Sequence, residues 1–286
     1  MERIYRYDGS FEGFLCCVFD SYQNREVPGG ICPAEELEAS LFPIWDAVFD
    51  PDHACRVLAK VEAIAPAARS LVERGFLTCA PEREMMLYRF IRSLLREGAP
   101  LLRRLSHDDV LPLRQAVQHL EGEAHLLKGF VRFSDLGGFL VGEIQPKNRV
   151  LSLLGRHFCQ RCLGERFLLY DRTHKEALLG QEGRWCVIPL AEFTMALPDE
   201  TEAKFRRLWK TFYDTVAIRE RYNPKTRRTH MPMRYWGTMT EFQGEEFFTP
   251  AAQTPGAGAP EPGAPAGIPA PGTPSGSGRP GPGSGP

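Results

Sequence analysis

The chain has 286 residues, of which 43% are hydrophobic and 25% are charged, and its formal net charge is −1. No run approaches the roughly 18 apolar residues that a membrane-spanning helix needs, and the first ten residues lack the apolar core of a secretory signal. These features exclude an integral membrane protein. We expect a cytoplasmic protein whose eight cysteines are reduced thiols.

The composition changes near the C-terminus. Residues 250–286 contain 11 prolines and 10 glycines among 37 residues, and their only charges are Glu261 and Arg279. Such a stretch carries too little apolar surface to offset the entropy of ordering it, so we predict a disordered tail. Residues 1–249 have an ordinary composition and are predicted to form a single folded body.

Charge is unevenly distributed along this body. Residues 1–130 carry 15 basic and 20 acidic side chains, a net charge of −5, whereas residues 202–236 carry ten basic and three acidic ones, a net charge of +7. The basic segment indicates a polyanionic partner. The alternative is a solvated helix face followed by a charged loop.

In chain order, the first 128 residues are predicted to be mostly helical. A short strand over residues 3–7 precedes a helix from Phe11 to about Tyr22, for which Ser10 is the N-cap. Residues 23–52 contain several prolines and are predicted to be irregular. Asp52 is the predicted cap of the next helix. The helices expected after this region span residues 53–65, 66–75, 82–97 and 108–127.

The pattern then changes to hairpins. Gly137 and Gly138 separate two apolar runs and predict a two-residue turn, in which paired positions sum to 275. Arg132 would then lie opposite Glu143, which indicates a cross-strand salt bridge rather than catalysis for Glu143.

After Pro146, Asn148 is the predicted N-cap of a helix over residues 149–163. Strands are predicted at residues 167–170, 176–179 and 185–188. This order favours an antiparallel sheet with helices on one side. The predicted fold class is therefore α+β, with a helical part over residues 1–128 and a sheet-containing part of hairpins and helices over residues 129–249.

The last predicted helix runs from about Glu200 to Arg221. It carries an apolar stripe at helical spacing, made of Phe205, Leu208, Trp209, Phe212 and Val216. Arg219 continues this stripe. Because a partly buried arginine needs a partner, Arg219 is predicted to form a structural ion pair.

Catalytic motifs are scarce in this sequence. There is no phosphate-binding glycine loop, no H-E-x-x-H and no G-x-S-x-G. Cys159 and Cys162 form a C-x-x-C, but a structural zinc site needs four ligands and no second such pair exists. The C-x-x-x-C-x-x-C spacing of radical-SAM enzymes is also absent. We predict no metal and no cofactor, and whether the chain is an enzyme stays open.

The most informative segment is VAIRERYNPKTRRTHMPMRYW, residues 216–236, which interleaves cations with aromatic rings. Cations neutralise phosphates, and flat rings stack on exposed bases. The alternative is a basic loop whose aromatic residues Tyr235 and Trp236 pack into the fold. The predicted nucleic-acid-binding residues are Arg221, Tyr222, Asn223, Lys225, Arg227, Arg228, His230, Arg234 and Trp236.

This segment resembles the C-terminal signature of a bacterial family of DNA repair or DNA metabolism proteins described as a domain of unknown function. The stretches YDGSFEGFLCCVFDSY, EIQPKNRVLSLLGRHFCQR and FLLYDRTHKEALL resemble it too. The resemblance implies a partner, a radical-SAM protein thought to modify or repair DNA. Some relatives are fused to a uracil-DNA glycosylase-like domain, so a uracil-DNA glycosylase-like protein is a further candidate partner. Here only the Pro/Gly tail follows Phe248. The family implies no catalytic residue.

Three hypotheses follow. The favoured one is a nucleic-acid-binding accessory that acts on DNA with a separate radical-SAM enzyme. The second is an enzyme acting directly on DNA, for which the candidate groups are Glu143, His157, Asp171 and His230. The third is a protein adaptor whose basic segment docks an acidic surface of its partner and does not contact DNA.

Overall fold

Helices alternate with two separate sheets in this chain. The computed structural model describes residues 3–37, 40–195, 199–216 and 223–242. Its strands are β1 (Ile4–Tyr7), β2 (Gly30–Pro33), β3 (Ile44–Asp46), β4 (Phe133–Asp135), β5 (Phe139–Ile144), β6 (Arg166–Asp171), β7 (Glu176–Gln181) and β8 (Arg184–Pro189). Its helices are α1 (Phe11–Gln23), α2 (Pro51–Ile64), α3 (Pro66–Phe76), α4 (Arg83–Glu97), α5 (Leu111–Phe130), α6 (Leu151–Arg161), α7 (Glu200–Val216) and α8 (Pro224–His230). The fold is α+β, as the sequence predicts.

The first sheet is parallel and has the strand order β2-β1-β3. Tyr5 of β1 pairs with Ile31 of β2 on one side and with Trp45 of β3 on the other. The prediction that residues 23–52 are irregular is therefore wrong where this range forms the two short strands β2 and β3. A proline ends β2 and another precedes β3, and prolines in such short runs hid both strands from a pattern-based prediction.

Side-chain caps set the first two helix starts. The Ser10 hydroxyl accepts a hydrogen bond from the Gly13 backbone N–H at 2.9 Å, which confirms Ser10 as the N-cap of α1. In α2 the cap is Asp50, whose carboxylate accepts from the backbone N–H groups of Asp52 and His53. The assignment of Asp52 as the cap is thus wrong by two residues. The earlier start follows from Pro51, which suits the first position of a helix.

The second sheet contains the strands β4-β5-β6-β7-β8 in that order. Its first hairpin confirms the predicted register, and both turn glycines, Gly137 and Gly138, have positive φ angles of 68° and 83°. The hairpin β6-β7 and the strand β8 are also confirmed. The sheet is not wholly antiparallel, however, because β5 and β6 run parallel. The crossover helix α6 connects these two strands, as a parallel connection requires.

The predicted Arg132–Glu143 salt bridge is absent although the register is right. Arg132 precedes the first residue of β4, and its side chain pairs with Glu241 near the end of the described chain. Glu143 lies 3.6 Å from Arg172 instead. A contact between elements that are distant in sequence has replaced the local one.

Two apolar cores stabilise the body. The first lies among α1–α4 and the start of α5 and includes the fully buried Phe14, Phe90, Cys16 and Cys17. The second lies between α5, α6 and the second sheet and includes Leu120, Phe158 and Phe167. In the described ranges, no helix is both long and apolar enough to cross a membrane.

Candidate nucleic-acid interface

The basic C-terminal part of the body folds into α7, α8 and two 3₁₀ turns, Met233–Thr238 and Thr240–Phe242. Arg219, Arg221 and Tyr222, which the sequence singles out, lie outside the described residues. The predicted structural ion pair of Arg219 and the predicted nucleic-acid contacts of Arg221 and Tyr222 therefore stay predictions.

α8 presents a positively charged surface. Its sequence, PKTRRTH, contains no acidic residue. Lys225, Arg228 and His230 are exposed, and within the described ranges neither Lys225 nor Arg228 forms an ion pair. Asn223 is the N-cap of the helix, because its Oδ1 accepts a hydrogen bond from the Thr226 backbone N–H at 3.1 Å. The Asn223 side-chain oxygen is therefore engaged in a hydrogen bond within the protein.

Arg227, on the same helix, is inserted among aromatic rings. Its guanidinium carbon lies 4.7 Å from the ring centroid of Trp236, 5.0 Å from that of Phe242 and 6.0 Å from that of Tyr213. Its Nε is buried and has no hydrogen-bond partner among the described residues. These cation–π contacts hold α8 against α7 and the 3₁₀ turns. Arg227 is thus an internal anchor of the helix.

Trp236 lies in the C-terminal core. Only 8% of this residue is exposed, and its Nε1 donates a hydrogen bond to the Met231 carbonyl at 3.0 Å. The ring also contacts Phe242, at a centroid distance of 5.1 Å. Of the two roles considered for Trp236, its burial favours the core role, because a buried ring offers no face to a base.

Arg234 connects this segment to a buried carboxylate. Its Nη2 lies 2.9 Å from Oε1 of Glu123 on α5, and its guanidinium carbon lies 4.5 Å from the Tyr235 ring centroid. The Tyr235 hydroxyl donates to the same Glu123 oxygen at 3.2 Å. Arg234 and Tyr235 therefore fasten the 3₁₀ turn to α5.

Glu123 is the centre of a larger network. Its side chain is 1% exposed and accepts hydrogen bonds from the backbone N–H groups of Lys147 and Asn148, at 3.0 and 2.8 Å, and from the Asn148 amide at 2.6 Å. Burial by itself raises the pKa of this carboxyl. The hydrogen bonds and the charge of Arg234 outweigh burial and hold the pKa below the ordinary range of a glutamate.

Asn148 is not the N-cap of α6. The helix begins at Leu151, and the Asn148 side chain points to Glu123 instead. Its Oδ1 also accepts a hydrogen bond from the Cys79 backbone N–H at 2.9 Å. Asn148 thus joins the loop before α4 to α5, and it does so because a buried carboxylate close to it needs donors.

α7 is attached to the second sheet by a polar cluster. The carboxylate of Glu202 accepts hydrogen bonds from Arg206 Nε at 2.8 Å and from the Asp135 backbone N–H at 3.2 Å, and Arg206 also donates to the Ser134 hydroxyl. Burial raises the pKa of Glu202, but these donors outweigh it and the net shift is downward.

A second attachment is formed by Arg132. Its guanidinium makes a bidentate contact with the fully buried carboxylate of Glu241, with an Nη2–Oε1 distance of 2.7 Å. The same guanidinium lies 5.3 Å from the Trp209 ring centroid on α7. Trp209, a residue of the apolar stripe, is thereby held against the protein body.

The apolar stripe of α7 is left largely uncovered by the described residues. Phe205, Trp209 and Phe212 are 61%, 40% and 57% exposed, and Leu208 and Val216 are similarly open. The stripe forms one wall of a groove of about 880 Å³, whose other wall comprises β4, β5 and the end of α6. The arginines in this groove are Arg132, Arg161 and Arg206.

Of the four candidate catalytic groups, Asp171 and Glu143 have structural partners. The buried Asp171 accepts hydrogen bonds in the β6-β7 turn and lies 2.6 Å from His174 Nδ1. Glu143 faces Arg172. Burial, and then nearby cations, lower the pKa of His157. His230 is exposed at the end of α8.

The C-x-x-C pair belongs to the second core. Cys159 is buried, with its Sγ 3.5 Å from the Arg184 carbonyl, and Cys162 packs against the same core. All eight cysteines are free thiols. Within the described ranges there is no group of three or more His, Cys, Asp and Glu side chains that could hold a metal ion.

Comparison with known proteins gives one result. A family model described as a domain of unknown function, DUF4130, matches residues 81–241, which is more than half of the chain. The chain therefore belongs to this family. The matched range begins just before α4 and includes the Glu123 network, α7 and α8. No curated protein and no solved structure gave a significant match.

Proposed function

We propose that this protein is a nucleic-acid-binding accessory of DNA metabolism, acting beside a separate radical-SAM enzyme that modifies or repairs DNA. The observation that carries the proposal is α8. A helix without acidic residues exposes Lys225, Arg228 and His230 to solvent while Arg227 holds it in place. Cations on an anchored element can neutralise phosphates without first ordering a loop.

The resemblance of four sequence stretches to DNA repair proteins supports the choice of DNA as the polyanion. Two of these stretches contribute directly to one network, since Asn148 and Tyr235 both hydrogen-bond to Glu123. The network fixes the position of the 3₁₀ turn against which Arg227 packs. In this proposal, the signature residues build the support and the exposed cations of α8 make the contacts.

The test is a salt titration of DNA binding, in which the fluorescence anisotropy of a labelled oligonucleotide reports the bound fraction. Replacing Lys225 and Arg228 by Ala should weaken binding and reduce the slope of log K against log salt by roughly two, because about one counterion is released per phosphate contact. Matched controls are the exposed Arg89 and Arg92 on α4, whose replacement removes the same charge. Equal effects of both double variants, or no binding by the parent at low salt, would contradict the proposal.

A further inference from the structure

The exposed stripe on α7 is unusual for a surface helix. Soluble proteins rarely leave a contiguous apolar patch open unless it binds something. The polar flank of α7 is bound to the protein body through Glu202 and Arg206. The aromatic residues Phe205, Trp209 and Phe212 line the groove. The bonds of Glu202 and Arg206 orient the helix so that its aromatic residues line the groove.

The rings are arranged as a stacking surface. Trp209 and Phe212 lie with their centroids 5.7 Å apart and their planes inclined by 28°. The guanidinium of Arg132 lies over the face of the Trp209 ring and is itself fixed by Glu241. Planar groups presented in this way suit the flat faces of unpaired bases, which stack on any aromatic ring regardless of sequence.

Charge around the groove is compatible with a nucleic acid strand. Within the lining, Glu202 is paired with Arg206, and the exposed Arg161 and Glu165 carry opposite charges at the α6 wall, so the positive charge comes from α8. The stripe runs along α7 toward Tyr213, the ring that Arg227 of α8 reaches. A strand whose bases enter the groove would therefore meet the cations of α8 as it leaves the last turns of α7.

We infer that the groove between α7 and the β4-β5 hairpin binds single-stranded nucleic acid, with unpaired bases stacked on Phe205 and Phe212. This inference rests on the proposed function and adds to it the substrate class. Paired bases in a duplex are already stacked and cannot enter, so single strands are preferred. The α8 cations contact phosphates of either form.

The experiment compares a labelled dT oligonucleotide of about 16 nucleotides with a duplex of the same length, using the full chain at low salt. Replacing Phe205 and Phe212 by Ala should weaken single-strand binding about tenfold or more, as expected for lost stacking, and leave duplex binding within about twofold. The matched control replaces Phe42 and Phe49, two exposed phenylalanines outside the groove, by Ala. Phe212→Tyr should retain binding, because a ring is kept.

The outcomes separate the inference from the proposed function. If the parent binds single strands and duplex equally and the Phe205/Phe212 variant behaves like the control, the groove does not bind bases, although the α8 proposal stands. The stripe would then serve a different partner, such as an apolar protein helix. If the parent binds neither oligonucleotide, both the inference and the proposed function fail.

Discussion

At the scale of single residues, Glu123 illustrates how a charge is tolerated in a core. A buried carboxylate is costly unless donors surround it. Glu123 has donors from two parts of the chain: the loop after β5, through the Lys147 backbone and the Asn148 side chain, and the 3₁₀ turn after α8, through Tyr235. Its position among the buried residues of α5, between Leu120 and Leu127, is the sequence signal that could have identified it.

Glu123→Ala should lower the free energy of unfolding by about 3–5 kcal/mol, because it leaves Arg234 and two backbone N–H donors without their acceptor. Denaturant unfolding followed by circular dichroism measures this change. Glu121→Ala on the same helix is the control. Its ion pair with Arg74 is exposed on both sides, so its loss should cost less than about 1 kcal/mol. Similar losses for both variants would show that the network is not a stabilising centre.

The lowered pKa of Glu123 also predicts a pH dependence. A carboxyl whose pKa is lower in the folded than in the unfolded state contributes stability above its unfolded value, here near 4.5, and loses it as the pH falls through the folded value. Glu123→Gln should therefore be destabilised at neutral pH and approach the parent in stability as the pH falls below about 4.5. Unfolding free energies at several pH values measure this. A constant difference between the two proteins would contradict the prediction.

At the scale of elements, α8 depends on one side chain for its position. Seven residues are too few for an independently stable helix in water. Arg227 supplies stabilising tertiary contacts to this short helix, since its guanidinium packs on Trp236, Phe242 and Tyr213. Anchoring is thus assigned to Arg227 and binding to the adjacent, exposed Arg228.

Arg227→Ala should lower the free energy of unfolding by about 1–2 kcal/mol and speed hydrogen exchange in α8, because a partly desolvated cation–π contact is lost. Arg228→Ala should change the free energy of unfolding by less than about 0.5 kcal/mol, because its side chain is exposed. DNA binding should fall in both variants. If Arg227→Ala leaves stability and exchange unchanged, the anchor role is wrong.

Local patterns predicted many elements of this fold well. The periodicity of α1–α5 and the turn glycines of the β4-β5 hairpin are properties of short stretches, so the sequence reveals them. β2, β3 and the parallel pairing of β5 with β6 depend on contacts between distant segments. No local pattern encodes such pairings, and they were missed.

The candidate site was predicted by composition but not residue by residue. In the sequence, Arg227 and Arg228 are two neighbouring arginines with the same side chain. Only their packing in the structure shows that Arg227 contacts aromatic rings of the protein itself. Likewise, the stripe on α7 looks like a typical core face, yet the helix is attached by its polar flank and leaves the stripe open. Orientation toward a neighbour is a tertiary property, and it decides which aromatic residues can reach a ligand.

At the scale of the whole molecule, the chain divides its charge between two regions. The family match covers α4 to the last 3₁₀ turn, whereas the parallel sheet β1–β3 lies outside it. The first 130 residues carry a net charge of −5 and the segment 202–236 a net charge of +7. A polyanion is repelled by the first region and attracted by the second, which predicts one binding surface with a defined location.

The most direct test of this account is hydrogen–deuterium exchange of the full chain with and without a saturating single-stranded oligonucleotide. We predict that slowed exchange is confined to peptides covering α7, α8 and the groove wall formed by β4 and β5, while peptides from β1 to α3 are unchanged. Protection located only in the N-terminal sheet and its helices, or no protection at saturation, would contradict the claim that the C-terminal surface binds nucleic acid.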